Sequence, residues 1–283
     1  MNCVAILCAL PVEIHPFREV LDLEEESLAG ITPCWKGYAH GKTIVLVLSG
    51  MGKVHAAVAA QRIIHRYEPD AVFSCGTAGA LDTRCQIGDV VVGTTTVQHD
   101  YGFVLPETFV HFGTHLLQPN RKRKFFQEFP ADSSLLKASR VLQKEWDQPS
   151  RLFSGPIATG DQVIFSTEKR QQLFEQFSAL AVDMESAAIA QVCKMNDIPF
   201  LAVRGISDYA DELVHLDTSK IDPNDFARYA SASFGEKVGL LTKTIRYLAQ
   251  HPSAFTMSLQ ARKNAKIAAA NSAELTLRVL QAL

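Results

Sequence analysis

Residues 201–211 read LAVRGISDYAD, and the way this apolar run ends decides the fold. Leu201-Ala202-Val203 has the character of a buried strand. Arg204 and Gly205 stop it, and Ser207, Asp208 and Asp211 follow within a few positions. Either a strand runs into an ordinary helix cap, or a strand presents an acid to a ligand.

Working outward, the same junction recurs. Leu48 runs into Ser49-Gly50-Met51-Gly52-Lys53, and Cys75 into Gly76-Thr77-Ala78-Gly79. Thr159 runs into Gly160-Asp161, and Val182 into Asp183-Met184-Glu185. One such junction means little, because glycine and Ser/Asp make turns and caps. Five on one sheet edge describe a crevice. Strand-like runs fall at 3–8, 43–48, 71–75, 89–97, 157–159, 180–182 and 200–203. Helix-like segments fall at 13–21, 53–67, 134–146, 169–177, 185–195 and 225–249; in the second, Val54, Ala57, Val58 and Ile64 fall on one face. This alternation predicts an α/β fold whose central, largely parallel sheet has helices on both sides. Ligands gather at the carboxyl ends of such strands.

Residues 105–133 break the rhythm with Pro106, Pro119, Pro130 and Gly113, and read as a long loop over or beside the site. The chain therefore reads as one domain over residues 1–250. Residues 251–283, rich in alanine and leucine, read as a helical tail of unassigned role.

Composition narrows the partners. With 283 residues, 47% hydrophobic and 20% charged, the chain can bury a large core. A formal net charge of -2 argues against nucleic-acid and membrane-surface partners. The basic run Arg121-Lys122-Arg123-Lys124 reads as a solvated loop. Residues 4–10 have no basic flank and soon meet Glu13 and His15, so they read as a core strand and not a signal peptide. The cysteines (Cys3, Cys8, Cys34, Cys75, Cys85, Cys193) have no CxxC spacing and read as reduced core residues of a cytoplasmic protein. His111 and His115 have helical spacing but sit in a Gly/Pro-bearing segment, so neither a metal nor another cofactor is expected.

Gly50-Met51-Gly52 lacks the third glycine of a dinucleotide fingerprint and the GK[ST] of a P-loop, and reads as a tight turn into a helix. Gly76-Thr77-Ala78-Gly79 suits a turn too, although its small residues would let a flat ligand lie against backbone. Taken singly, Glu13, Glu185 and Asp208 each read as helix-cap carboxylates. Taken together they converge at one sheet edge beside Arg204. Converging carboxylates perturb one another's pKa values. That suits cleavage of a glycosidic bond, with one carboxylic acid protonating the leaving group and one carboxylate activating water.

The motifs AILCALPVEI (5–14), SGMGKVHAA (49–57), SCGTAGAL (74–81), IGDVVV (87–92), QHDYG (98–102), ATGDQVI (158–164), VDMESAAIAQVC (182–193) and VRGISDYAD (203–211) occur in one order across roughly residues 1–250. Through them the chain resembles the purine nucleoside phosphorylase/uridine phosphorylase superfamily, most of all its 5′-methylthioadenosine/S-adenosylhomocysteine nucleosidase branch. The resemblance implies a three-layer α/β/α fold with a central twisted mixed sheet. It also implies roles. Asp208 matches the general acid that protonates N7 of the departing purine, and Glu13 the glutamate that activates water. Met184 and Glu185 match the ribose-binding pair, and Arg204 an arginine near water and ribose. Thr77, Ala78, Gly79, Ile164 and Ser207 match positions around the base; Leu10 and Met51 match the ribose and 5′-substituent region.

The implied activity is hydrolysis of an adenine nucleoside with a modified 5′ position, releasing adenine and the ribose derivative. The alternatives are a phosphate-dependent purine nucleoside phosphorylase and a non-catalytic relative that senses or stores nucleosides. Phosphorylases of the superfamily place an arginine before the glycine-rich stretch and a Gly-Asp-Pro loop after the first strand. Here those places hold Phe73-Ser74-Cys75 and Ala9-Leu10-Pro11-Val12-Glu13, which favours water. Val163 stands where an aromatic residue usually stacks on the purine, so Phe165 or Phe153 compensates or the base differs. Residues 212–223 and 105–133 also depart from the compact nucleosidases. The family commonly forms homodimers beside the site, and a homodimer is expected here.

Overall fold

A computed structural model describes residues 1–26, 33–106, 108–117, 123–210 and 252–283. Asp211, residues 212–223, the helix expected at 225–249, and Arg121 and Lys122 of the basic run lie outside the described residues. The first half comprises β1 (Cys3–Cys8), α1 (Pro11–Val20), β2 (Leu23–Glu26), β3 (Cys34–Ala39), β4 (Lys42–Leu48), α2 (Lys53–Tyr67), β5 (Ala71–Ala80) and β6 (Val90–Gln98). Two antiparallel pairs follow, β7 (Gly102–Val104) with β8 (Phe109–His111), and β9 (Thr114–Leu117) with β10 (Arg123–Phe126). Then come β11 (Phe129–Pro130), α3 (Ser133–Lys144), β12 (Leu152–Thr159), α4 (Thr167–Phe177), β13 (Ala181–Asp183), α5 (Ser186–Met195), β14 (Phe200–Asp208) and α6 (Pro252–Ala282).

The central sheet is mixed, as the resemblance implies. Strands β4, β1, β5 and β14 pair in parallel with one another, as do β6, β12 and β13 among themselves. The two sets meet antiparallel where β13 pairs with the end of β5 and β14 pairs with β6. Strand β14 thus bridges β5 and β6, and closes the strands β5, β13, β12, β6 and β14 into a ring. The largely parallel sheet read from the alternation is corrected on this point.

Helices cover both faces because the central strands are apolar on both. In β1, Val4, Ile6 and Cys8 join one core cluster with Ile14 and Phe17 of α1, Leu135 of α3, and Leu275, Val279 and Leu280 of α6. Ala5 and Leu7 join the opposite cluster with Ala59 and Ile63 of α2 and Ala188 and Ile189 of α5. The period-2 alternation of one strand therefore feeds two cores.

Several expectations are revised. The buried face of α2 is Ala56, Ala59, Ala60, Ile63 and Ile64, while Val54 and Val58 are exposed. The alanines win because small residues let α2 lie close to the small-residue face of α5. Residues 105–133 are not one long loop, because the described part holds β8, β9, β10 and β11. Tyr101, Phe103 and Phe112 pack there, with ring centroids 4.8 and 4.6 Å apart, which gives the β7–β8 hairpin a small apolar face of its own. The stretch Gly76–Gly79 is not a turn; it lies within β5 and pairs with β14, Arg204 opposite Gly76 and Gly205 opposite Thr77, with the register shifting between Ile206 and Asp208 at its end.

Helix α6 packs along the ring. Its Ala268 carbonyl lies so close to β14 that a Cβ on Gly205 would come within 2.0 Å of it. Asn271 donates to the Gly88 carbonyl at 2.7 Å, and Ala268, Ala269 and Ala273 are buried. Alanine at these positions is what allows helix backbone to meet strand backbone.

Candidate active site

The floor of the site is a buried charge cluster. Arg204 projects from β14 and is 1% exposed, the largest fully buried side chain. Its Nε lies 2.7 Å from Asp183 Oδ2, and its guanidinium donates to the hydroxyls of Ser74 at 2.7 Å and Ser186 at 3.1 Å. Glu185 Oε2 is 3.7 Å away. Asp183 also accepts the Thr159 hydroxyl at 2.5 Å, the Ser186 amide at 3.2 Å and the Ser186 hydroxyl. A buried arginine survives only when its charge is met in this way.

Glu13 comes from the first turn of α1 and is 2% exposed. Its Oε2 accepts the amides of Ala9 and Leu10, both at 2.9 Å, which closes the helix N-terminus. Its Oε1 accepts the Thr77 amide at 2.7 Å and the Thr77 hydroxyl at 2.9 Å. The capping and site readings of Glu13 therefore coincide in geometry. Gly76 is small for the same reason: a Cβ there would lie 2.5 Å from Arg204 Nη1 and 2.6 Å from Glu13 Oε1.

Glu185 is the N-cap residue of α5 and accepts the Gly52 amide on Oε1 at 2.9 Å. Gly50 and Gly52 have φ of 86° and 93°, a backbone that presents this amide and that side chains resist. Burial pushes the Glu185 carboxyl up to about 7, with Arg204 pulling the other way and Asp183 adding to the rise. Asp208 is the last residue of β14, not a first-turn helix residue. Its Oδ2 accepts the Ser207 hydroxyl at 2.8 Å, and its Oδ1 the Ala210 amide at 3.0 Å.

These elements enclose a cavity of about 560 Å³. Of the residues named from sequence, Leu10, Glu13, Met51, Thr77, Ala78 and Gly79 line it. Ile164, Met184, Glu185, Ser207 and Asp208 line it too. Arg204 does not; it lies beneath Glu185 and Asp183 and reaches the cavity through them. Sequence reasoning missed Asp183, which lines the cavity and carries the arginine's charge. Its signal was present as a second carboxylate ending the same strand. Gln260, Ala261 and Ala265 of α6 were missed as well, and nothing in an alanine-rich tail announces them. Of the two aromatic candidates, Phe165 lines the cavity and Phe153 does not.

Chemically, the lining offers four carboxylates, Glu13, Asp183, Glu185 and Asp208, and among the described residues no Lys, Arg or His. No group of three or more His, Cys, Asp or Glu among the described residues could hold a metal ion. Such a lining suits a hydroxyl-bearing ligand and proton transfer.

The family model described as the phosphorylase superfamily matches residues 4–240. The 5′-methylthioadenosine/S-adenosylhomocysteine nucleosidase of Staphylococcus carnosus is 35% identical over 211 residues, 74% of this chain and 87% of that protein. Its Staphylococcus epidermidis counterpart is 31% identical over 86% of this chain and all of its own. Among solved structures, the Neisseria meningitidis nucleosidase in complex with methylthio-immucillin-A superposes with a TM-score of 0.73 and 27% identity, covering all of both chains. Futalosine hydrolase of Helicobacter pylori gives 0.71 and 25% identity over all of this chain and 98% of its own.

Proposed function

The chain belongs to the phosphorylase superfamily as an N-glycosyl hydrolase of its nucleosidase branch, and from that premise we propose that it cleaves a 5′-modified adenosine with Asp208 as general acid and Glu13 as the base for water. The substrate is 5′-methylthioadenosine, S-adenosylhomocysteine or a close relative, and the products are adenine and the ribose derivative. The observation that carries this reading is the cavity lined by four carboxylates without a cation among the described residues.

An adenine anion is a poor leaving group. Protonation of N7 as the C1′–N9 bond stretches lets it depart neutral, and general acid catalysis of this kind contributes about 10²–10⁴-fold. Ser207 and the Ala210 amide orient Asp208 for the transfer. Water attacks C1′ from the side of Glu13, whose carboxylate takes the proton. Glu185 accepts the ribose hydroxyls, bonds that strengthen as positive charge builds on the ring. Arg204 is a positioning residue: it neutralises Asp183 and Glu185 from below and touches no substrate. Thr77, Ala78, Gly79 and Ile164 flank the base with small or apolar surface, and Phe165 supplies the aromatic face that Val163 lacks. Leu10, Met51 and Met184 cover the sugar and its 5′ substituent.

The reading extends to a cytoplasmic homodimer. The six cysteines are all unpaired, which supports a reducing compartment. Exposed apolar residues on the β7–β8 hairpin (Phe103, Val104, Val110) and on α2 (Val54, Val58) support a self-contact. No helix among the described residues is long and apolar enough to cross a membrane. The test of function is product analysis with methylthioadenosine, S-adenosylhomocysteine, adenosine, AMP and aminodeoxyfutalosine. Adenine released from a 5′-thio substrate is expected; preference for AMP, or no cleavage of any, contradicts the reading.

A further inference from the structure

Three residues beside the cavity form a closed ring of contacts that the chemistry above does not use. Lys53, the first residue of α2, places Nζ 2.6 Å from Asp100 Oδ1. Asp100 Oδ2 accepts the Asp161 amide at 2.9 Å. Asp161 Oδ1 accepts the Lys53 amide at 2.8 Å, and its Oδ2 lies 3.9 Å from Lys53 Nζ. Each of the three therefore touches both others. They come from three separate places, the start of α2 after β4 and the loops after β6 and β12.

None of the three lines the cavity, but Lys53 and Asp161 are each tied to residues that do. Lys53 follows Gly52, whose amide donates to Glu185. Asp161 precedes Gln162, Val163, Ile164 and Phe165, which form one wall. The amides of Gly52 and Lys53 belong to the N-terminal turn of α2, where no helical partner exists for them. The Gly52 amide is satisfied by the Glu185 carboxylate and the Lys53 amide by Asp161 of the ring. Gly160 is packed against His99 at a distance where a Cβ would lie 2.3 Å from Nε2, so this loop has no room to slide inward. The Lys53 and Asp100 side chains are 19% and 16% exposed, so the pair is shielded and not a loose surface contact.

We propose that Lys53, Asp100 and Asp161 are positioning residues that hold the Gly52 amide on Glu185 and fix the wall carrying Phe165 against the substrate. The proposal rests on the nucleoside reading of the cavity only for which ligand is positioned. Removing the lysine charge leaves Asp100 and Asp161 as facing carboxylates, which separate. The loop of residues 160–165 then moves away from α2, and Glu185 loses its amide donor. That donor favours the ionised form of Glu185. The other charged groups facing Glu185 are Asp183 on β13, Arg204 on β14 and Glu13 on α1, and none of them is altered. Beside the ring, His99 and Lys169 face Asp100 and its surroundings and also stay in place.

The experiment compares the parent with Lys53→Met, Lys53→Arg, Asp100→Asn and the remote control Arg278→Met, which breaks ion pairs to Asp147 and Glu274. Carboxyl ¹³C NMR follows the titration of Glu185 without substrate. Steady-state kinetics with methylthioadenosine follows KM and kcat across pH. In Lys53→Met the Glu185 midpoint moves to higher pH, and kcat/KM falls about tenfold, the size expected from one charge-assisted hydrogen bond. The loss falls mainly on KM. Lys53→Arg returns both toward the parent, and Arg278→Met moves neither. A parental Glu185 midpoint in Lys53→Met overturns the proposal, as does an equal shift in Arg278→Met. If Lys53→Met does not fold, Asp100→Asn carries the test, because an amide cannot accept from both Lys53 and Asp161. Loss of fold in both variants overturns the positioning role and makes the ring a stability element. The NMR arm needs no turnover, so a failure of the nucleosidase reading and a failure of the ring are told apart.

Discussion

At the floor of the cavity Arg204, Glu13 and Asp183 are buried with a donor or acceptor for each charged group, whereas at the rim Met51, Val163 and Phe165 stand 51%, 59% and 46% exposed. The floor is built from the ends of β13 and β14, both paired to β5, and from the first turn of α1, where register and helix geometry fix a side chain's direction. The rim is built from loops after strands, where side chains meet solvent. Fixed polar groups in a dry place are what proton transfer to N7 and from the attacking water requires. Adaptable apolar groups are what recognition of a variable 5′ substituent or base face requires. The contrast assigns rate to the floor and selectivity to the rim, and substitutions in each should fail differently.

The largest effect belongs to Asp208→Asn. The amide keeps the shape but cannot deliver a proton, so kcat should fall by about 10²–10⁴-fold with substrate affinity nearly retained. Turnover within a few-fold of the parent would break the floor-carries-rate assignment. Glu13→Gln comes next, with a kcat loss of about 10²-fold. Because all four bonds to Glu13 come from donors, the amide NH₂ must face one pair of them. A stability loss of about 1–3 kcal/mol should therefore accompany the kinetic loss, read from chemical denaturation. Stability lost with kcat unchanged would return Glu13 to a pure cap.

Glu185→Gln sharpens the comparison through pH. Its carboxyl is pushed up to about 7 in the folded chain, from an ordinary 4.5. A raised carboxyl favours the neutral form. Its contribution to stability is full below about pH 4.5 and is lost as pH rises through about 7. The parent's melting temperature relative to Glu185→Gln should therefore fall across that window. The ionised form is the better acceptor for ribose hydroxyls, so parental kcat/KM should rise through the same range, and this limb should vanish in the variant. The smallest effect is at the rim: Phe165→Ala, which removes the aromatic face against the base, should raise KM a few-fold alike for every 5′-thio adenosine, leaving kcat near parental. A kcat loss as deep as that of Asp208→Asn would erase the distinction between rim and floor.

The floor was largely legible in the sequence, and the reason is physical. Taken singly, Glu13, Glu185 and Asp208 read as helix caps; it is their convergence with Arg204 after apolar runs on one sheet edge that flags a site, because charges gathered there are costly to bury without partners. What the glycines of 76–79 do was misread, because a glycine that admits a crossing charge pair looks in sequence like one that makes a turn. Only the register of β5 against β14 separates the two. The strands β2 and β3 went unseen because β2 at the sheet edge and its neighbour β3, with Glu24-Glu25 and Lys36-Gly37, carry no sustained apolar alternation. The faces of α2 were misassigned because valine outranks alanine in hydrophobicity, while close helix packing rewards the smaller residue. The part of α6 in the cavity wall was illegible, since Gln260 acquires meaning only from where the helix lies.

The central claim is that water, prepared over a carboxylate-lined floor, is the nucleophile. Single turnover of methylthioadenosine in ¹⁸O-labelled water, with saturating phosphate present, tests it most directly. The account predicts one labelled oxygen on C1′ of the sugar product and a rate indifferent to phosphate. A sugar 1-phosphate with no label at C1′ would contradict it.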